Sequence, residues 1–232
     1  MSFEIPSSII GAMNKVISIT NQKGGVGKST IAFNLGVALT KNKHTVFIVD
    51  ADPQGTVSMW AKARARHAPN KINPYLTFTE NPWTSEEILK LSKKQDYDFV
   101  IIDCGPANNK ITKATLVVSH LTIIPISPSP LDINSARSTI ALLEEGTSRG
   151  ATKSKVHLLI SKKIVGTNLA KEAREACQTL KLPILKTEIS QRVALCESAI
   201  TGQSVLEYAP NSTAVKEFIA LEKEVKKCLK QN

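Results

Sequence analysis

With 232 residues, 42% of them hydrophobic, the chain is long enough to bury roughly 70% of its unfolded surface around one core, so one domain is the default. No stretch approaches the roughly 18 to 20 apolar residues that span a bilayer, and the N-terminus lacks a basic segment followed by an apolar one, which points to the cytoplasm. The net charge of +10 favours a polyanionic partner through counterion release, but the basic residues are dispersed, so an ordinary soluble basic surface competes evenly with DNA.

Residues 1–14 precede the first strand and are read as a leader without assigned function, ahead of a single domain at 15–232. Runs rich in Val and Ile at 16–20, 45–50, 99–103, 121–125 and 156–160 alternate with helical patterns at 28–40, 57–66, 84–94, 109–119, 132–145 and 169–180. Continuous apolar runs mark strands covered on both faces, which lose the polar alternation of a half-exposed sheet. The β-α-β order predicts an α/β fold with a doubly wound, mostly parallel sheet flanked by helices. Thr84 and Glu87 make a T-x-x-E capping box, and Gly146 after Glu144 and Glu145 sets the expected end of the fifth helix. Prolines and asparagines between 68 and 82 oppose a helix there and leave a surface connection with a short strand near 75–79. Near the C-terminus, Val215, Phe218, Leu221, Val225 and Leu229 recur at helical spacing, as expected of a last helix packed on the domain.

The segment from Asn21 to Thr30 follows a strand and opens a helix. Its glycines, Gly24, Gly25 and Gly27, let the backbone fold so that N–H groups converge on phosphate oxygens, and the helix N-terminus adds positive potential. In such a Walker A loop, with Val26 and Thr30 completing the cradle, Lys28 reaches the β- and γ-phosphates of ATP and the Ser29 hydroxyl ligates Mg2+. Asp50 and Asp52, in Asp50-Ala51-Asp52-Pro53-Gln54-Gly55, end the second strand at the carboxyl edge where open α/β sheets place ligands. The run 99–102 ends in Asp103, the pattern of a Walker B strand that holds magnesium. The four cysteines, Cys104, Cys177, Cys196 and Cys228, are far apart and form no C-x-x-C pair, so they read as reduced thiols.

With the additional Lys23, K-G-G-x-G-K-[ST] resembles the deviant Walker motif of the ParA, MinD and nitrogenase iron protein superfamily of P-loop ATPases. The resemblance gives Lys23 a role across a dimer, on the nucleotide of the opposing subunit. It likewise implies that Asp52 orients or deprotonates the attacking water, while Asp50 supports the metal shell. The segment Pro125-Ile126-Ser127-Pro128-Ser129-Pro130-Leu131-Asp132 resembles the P-x-x-P-S-P-x-D loop of ParF-like plasmid partition ATPases, which puts Pro128 near the nucleotide; Asp132 is also a candidate N-cap. Further matches at 159–163 and 187–192 extend the resemblance over nearly the whole chain. Gly105-Pro106 departs from the usual D-x-P-P switch sequence.

The resemblance implies a Mg2+-dependent ATPase of plasmid or chromosome partition that forms a homodimer with ATP. It also implies nonspecific DNA binding in that state, a ParB-like or ParG-like adaptor, and a cytoplasmic, nucleoid-associated location. Arg192, Lys162 and Lys163 are the candidate DNA contacts, although Lys162 and Lys163 directly follow a strand and fit a place at the ATP pocket equally well. The alternatives are a factor positioning a protein cargo, a VirC-like conjugation factor and a MinD-like membrane regulator. An iron–sulfur electron donor is disfavoured because Cys104 is the only cysteine near a cluster position. Stable membrane association is not expected, and no helix-turn-helix module precedes the P-loop to read a specific operator.

Overall fold

The computed structural model describes residues 14–67, 76–80, 84–94, 96–106, 109–148 and 154–230. Six strands, β1 (Lys15–Ile19), β2 (Val46–Ala51), β3 (Leu76–Glu80), β4 (Phe99–Cys104), β5 (Leu121–Ile126) and β6 (Lys155–Ile160), form one sheet in the order β3-β2-β4-β1-β5-β6. Every pairing between neighbours is parallel. The helices are α1 (Lys28–Thr40), α2 (Thr56–His67), α3 (Ser85–Ser92), α4 (Asn109–Val118), α5 (Pro130–Ser148), α6 (Asn168–Gln178), α7 (Val193–Ile200), α8 (Val205–Tyr208) and α9 (Thr213–Lys230).

The strands look uniformly apolar in sequence, yet a period of two runs through them. Ile17, Ile19, Val46, Ile48, Phe99, Ile101, Leu121, Ile123 and Leu159 face one core, which α1, α2, α7, α8 and α9 cover. Their neighbours point to the opposite face. There Val16, Phe47, Val49, Val100 and Ile102 meet Ile88 of α3 and Ile111 of α4, while Ile124, Ile126, Leu158 and Ile160 meet α5 and α6. Both faces are therefore dry, as βαβ crossovers require. Helix α1 is buried on nearly every side from Ile31 to Thr40. Helix α9 lies against it, with Phe218, Leu221 and Val225 fully buried, so the apolar face of the last helix is spent inside the fold.

Three departures from the sequence reading have local causes. Helix α5 runs through Gly146 to Ser148, because a glycine costs a helix interior only about 1 kcal/mol and stops it only where a left-handed cap is adopted. The same helix starts at Pro130, with Ile133 N donating to Ser129 O at 2.9 Å, so Asp132 lies in its first turn and is not the N-cap. Proline tolerates this position because the first amides of a helix have no partner within it. Helices α7 and α8 went unpredicted; α7 lacks a side-chain cap, and the S-x-x-E signal at Ser204 and Glu207 marks only the four residues of α8. The capping box at Thr84 and Glu87 is present in both directions. Tyr75 and the prolines at 69, 74 and 82 lie outside the described residues, as do residues 1–13.

β1 sits at the centre of the sheet, with β4 on one side and β5 on the other, so the strand order reverses there. The loops leaving β1, β2, β4 and β5 all emerge at the carboxyl edge around this crevice, the position where open α/β sheets hold ligands.

Candidate functional site

The loop after β1 is anchored from below before it can cradle anything. Asn21, fully buried, donates through Nδ2 to Pro125 O of β5 at 2.8 Å and accepts the Lys23 amide through Oδ1 at 2.9 Å. Gln22 N donates to Thr139 Oγ1 of α5 at 3.0 Å. On the other flank Ser161 Oγ donates to Val26 O at 2.8 Å. Asn21 and Ser161 fall within the segments 21–30 and 159–163 that sequence marks, but without a role of their own, and Thr139 carries no sequence signal. Gly25 and Gly27 have φ of 79° and 90°, which side-chain-bearing residues rarely adopt, and the space a Cβ would occupy at either is open. The loop thus presents bare backbone to a cavity, and Gly27 leads directly into the N-terminus of α1.

Lys28 is buried, and its Nζ donates to Lys23 O across the loop at 2.9 Å. Burial lowers its pKa, and the nearby Asp103 and Asp52 partly offset this. Lys23 behaves differently: its side chain is 49% exposed and reaches only a 3.8 Å contact with Asp132 Oδ1, which leaves the ammonium free to meet something outside the subunit. Asp132 also accepts a hydrogen bond from Ser127 Oγ, which ties the proline loop of β5 to α5.

Three aspartates converge opposite the loop. Asp50 and Asp103 are register partners on β2 and β4. Asp50 Oδ2 accepts from both the amide and the hydroxyl of Ser58 at 2.7 Å each, so it is held by the first turn of α2; burial nevertheless raises its pKa. Asp103 is fully buried and neither carboxylate oxygen closes a hydrogen bond. Burial pushes its pKa to about 8, with the neighbouring Asp50 and Asp52 adding to the rise and the facing Ser29 hydroxyl and Lys28 opposing it. An orphaned carboxyl of this kind is expensive in a fold. It suits a site completed by a cation. Asp52 is buried, with Oδ1 accepting from Gln54 N at 2.9 Å. Gly105, the departure in the switch sequence, has a structural use: a Cβ there would come within 2.9 Å of both Asp52 Oδ1 and Pro53 Cδ, so glycine lets the loop after β4 close against the loop after β2.

Two adjoining clefts open from the cradle. One, of about 370 Å3, is bounded by Gly25, Ser127, Pro128, Asp132, Lys162 and Gln191 among others. The other, of about 340 Å3, has Gly27 and Thr30 at its base and walls of Ile189, Leu195 and Ala199. Lys162 and Gln191 line both, and Lys162 adopts a left-handed φ of 52° as the chain turns out of β6. Arg192 also lines the second cleft, and its guanidinium is held by Glu217 at 2.9 Å. Lys163 is ion-paired with Glu188. Of the three candidate DNA contacts, two therefore lie beside the P-loop and two are neutralised by carboxylates of the same chain. The arrangement joins an open glycine loop, an inward and an outward lysine, a cluster of carboxylates and an adjacent, mostly apolar cleft.

Residues 17–205 match the family model described as the CobQ/CobB/MinD/ParA nucleotide binding domain. The chain is 32% identical over 200 residues to a maintenance of carboxysome distribution protein A of Gloeobacter kilaueensis, covering 84% of this chain and 85% of that protein. It is 28% identical to the sporulation initiation inhibitor protein Soj of Bacillus subtilis, with 92% and 98% covered. Among solved structures, apo McdA of Cyanthece superposes with a TM-score of 0.76 at 21% identity, covering 93% of this chain and 99% of that one. MinD of Pyrococcus horikoshii with Mg-ADP superposes with a TM-score of 0.69 at 20% identity, covering 93% and 97%. The chain belongs to the CobQ/CobB/MinD/ParA nucleotide-binding family, as a P-loop protein of the ParA type.

Proposed function

We propose that the chain is a Mg2+-dependent ATPase of partition or positioning, which dimerises around ATP, binds DNA nonspecifically in that state and hydrolyses ATP under control of a ParB-like or ParG-like adaptor. The observation that carries this reading is the conjunction of a glycine cradle, buried Lys28, outward Lys23 and three aspartates at one sheet edge. In this reading the amides of residues 24–30 and the ammonium of Lys28 hold the phosphates, and the cleft walled by Ile189, Leu195 and Ala199 takes the base. Pro128 borders the phosphate side. Ser29, with Asp50 and Asp103 behind it, would hold magnesium, which supplies charge neutralisation on the phosphates; the orphaned Asp103 oxygens fit that role. Asp52 keeps Oδ2 free to take a proton from water while Gln54 N fixes the other oxygen. Turnover by the chain alone is slow, because charge stabilisation stays incomplete until a partner completes the site.

Asp103→Asn separates the metal role from a structural one. It replaces a carboxyl whose charged form burial disfavours with an amide of the same shape. The unfolding temperature without nucleotide is therefore expected to move by no more than about 4 °C, roughly 1 kcal/mol or less in a domain of this size. In calorimetric titrations the tightening of ATP by magnesium should fall at least about tenfold; an unchanged magnesium effect would remove Asp103 from the metal shell.

Lys23 is assigned to the opposing subunit's nucleotide, since two polyphosphates facing each other need an added cation. Lys23→Ala is expected to bind ATP with less than about a tenfold loss yet sediment as a monomer, because among the described residues it removes only the 3.8 Å ion pair with Asp132. An ATP-dependent dimer of wild-type stability would rule out the trans role.

Positioning of a protein cargo is the second reading. It is favoured by the carboxysome distribution proteins of Halothiobacillus neapolitanus and Gloeobacter kilaueensis, each aligned over 84% of this chain. Both readings share the same nucleotide cycle, and the partner that stimulates the ATPase distinguishes them: a centromere-binding adaptor in one case, a cargo-bound adaptor in the other.

A further inference from the structure

We infer that the outer face of α9 is the DNA-docking surface, an inference that rests on the proposed nonspecific DNA binding and gives it a location. Lys216, Lys223, Lys227 and Lys230 are all exposed. They stand at i, i+7, i+11 and i+14, which at about 3.6 residues per turn places them on one narrow face. The acidic residues of the same helix are all occupied by other partners, Glu217 and Glu222 away from this face and Glu224 at its flank beside Lys186. Glu217 accepts from Ser190 N, Ser190 Oγ and Arg192. Glu222 is buried and takes Asn42 Nδ2 and Lys226, and Glu224 accepts the amides of Lys186 and Thr187 at 2.7 and 2.9 Å. Among the described residues no carboxylate lies within ion-pairing distance of any of the four lysines.

The helix therefore displays a single-signed ridge. Lys223 and Lys227, four residues apart, repel each other, a mild cost that a solvated helix face normally avoids by mixing signs. Exposed Lys186 extends the ridge sideways across a groove of about 480 Å3 that it shares with Thr187, Ala220, Lys223, Glu224 and Lys227. From Lys216 to Lys230 the ridge measures about 21 Å at roughly 1.5 Å per residue, the span of about six phosphates at 3.4 Å along one strand. An acidic membrane would also attract lysines, but an interfacial helix needs an apolar face to bury in lipid. Phe218, Leu221 and Val225 of α9 are consumed in the core. Duplex DNA, a rigid polyanion that needs only matching charge, is the partner that fits. The ridge also explains why Arg192 and Lys163 need not serve: both are neutralised within the chain. Glu217 links the first turns of α9 to the loop lining the nucleotide cleft, and an ATP dimer carries two ridges where a monomer carries one.

The test is a salt titration of full-length, ATP-loaded protein on unrelated duplexes, comparing wild type with a variant carrying Lys216→Gln, Lys223→Gln, Lys227→Gln and Lys230→Gln. The quadruple variant is expected to bind about 100-fold or more weakly at 0.1 M salt and to lose about three to four from the log–log salt slope, while Lys223→Gln alone loses about one. ATP-dependent dimerisation and basal ATPase activity should be unchanged, since none of the four touches the cleft, and the single variant carries the test if the quadruple one misfolds. Wild-type affinity and slope in the variants, in a protein that does bind DNA, would overturn the α9 assignment alone. Failure of ATP-loaded wild type to bind any duplex at low salt would overturn the DNA reading itself. Lysine-dependent capture by phosphatidylglycerol vesicles without duplex binding would replace DNA by a membrane.

Discussion

Replacement of Asp52 by alanine is expected to lower ATP turnover by about 100-fold or more while ATP binding survives, so that the protein accumulates as an ATP-bound dimer. The size follows from the 10²- to 10⁴-fold contribution of a positioned general base. The separation from binding follows from geometry. Asp52 stands in the loop after β2, is fixed by the amide of Gln54, and contributes no hydrogen bond to the glycine cradle. Its loss is also structurally tolerable, because the Gly55 N to Asp52 O bond that closes the turn is made by backbone and remains. Single-turnover measurements on ATP-loaded protein read the chemical step directly. Turnover within a few-fold of wild type would transfer the role of base to another group, while loss of ATP binding would mean that Asp52 serves the pocket.

The glycine loop between β1 and α1 was readable because its determinants are local: Gly24, Gly25, Gly27, Lys28 and Ser29 fall within six consecutive residues of a strand-to-helix turn. The sheet was readable for a related reason, since short Val- and Ile-rich runs between helical patterns leave little choice but a parallel sheet. What sequence could not supply was pairing across distance. Asp103 ends an ordinary apolar strand, and only its register with Asp50 puts the two carboxyls side by side. Arg192 is a candidate DNA contact by sequence, and nothing local announces that Glu217, on a helix 25 residues further on, holds it. The α9 ridge was concealed differently. Glutamates interleave with its lysines along the chain, so the helix reads as mixed charge until the fold occupies the acids with other partners. Gly146 illustrates the converse, a stop signal the fold ignores because the helix continues in α5 past it.

Lys28→Ala is expected to weaken ATP at least about 100-fold. The ammonium is buried, its charge disfavoured by desolvation and retained with the help of Asp103 and Asp52, and among the described residues it hydrogen-bonds only the carbonyl of Lys23. It is thus a cation kept in a poorly solvated place with one weak partner, poised to exchange that partner for phosphate oxygens. Truncation removes charge-assisted hydrogen bonds worth about 1.5–3 kcal/mol each, and a 100-fold change in dissociation constant corresponds to about 2.7 kcal/mol. Thermal unfolding gives the cleanest comparison, because it reports folding and binding in one experiment. At an ATP concentration about 100 times the wild-type dissociation constant, nucleotide stabilises wild type by about 2.7 kcal/mol and a variant binding 100-fold more weakly by about 0.4 kcal/mol. The nucleotide-induced rise in unfolding temperature should therefore nearly vanish in Lys28→Ala. Lys28→Arg is expected to recover little of it, since the planar guanidinium is bulkier than an ammonium and does not fit the buried place where Lys28 Nζ meets Lys23 O at 2.9 Å. A full ATP-induced shift in Lys28→Ala would show that the backbone amides of the loop hold the phosphates without it.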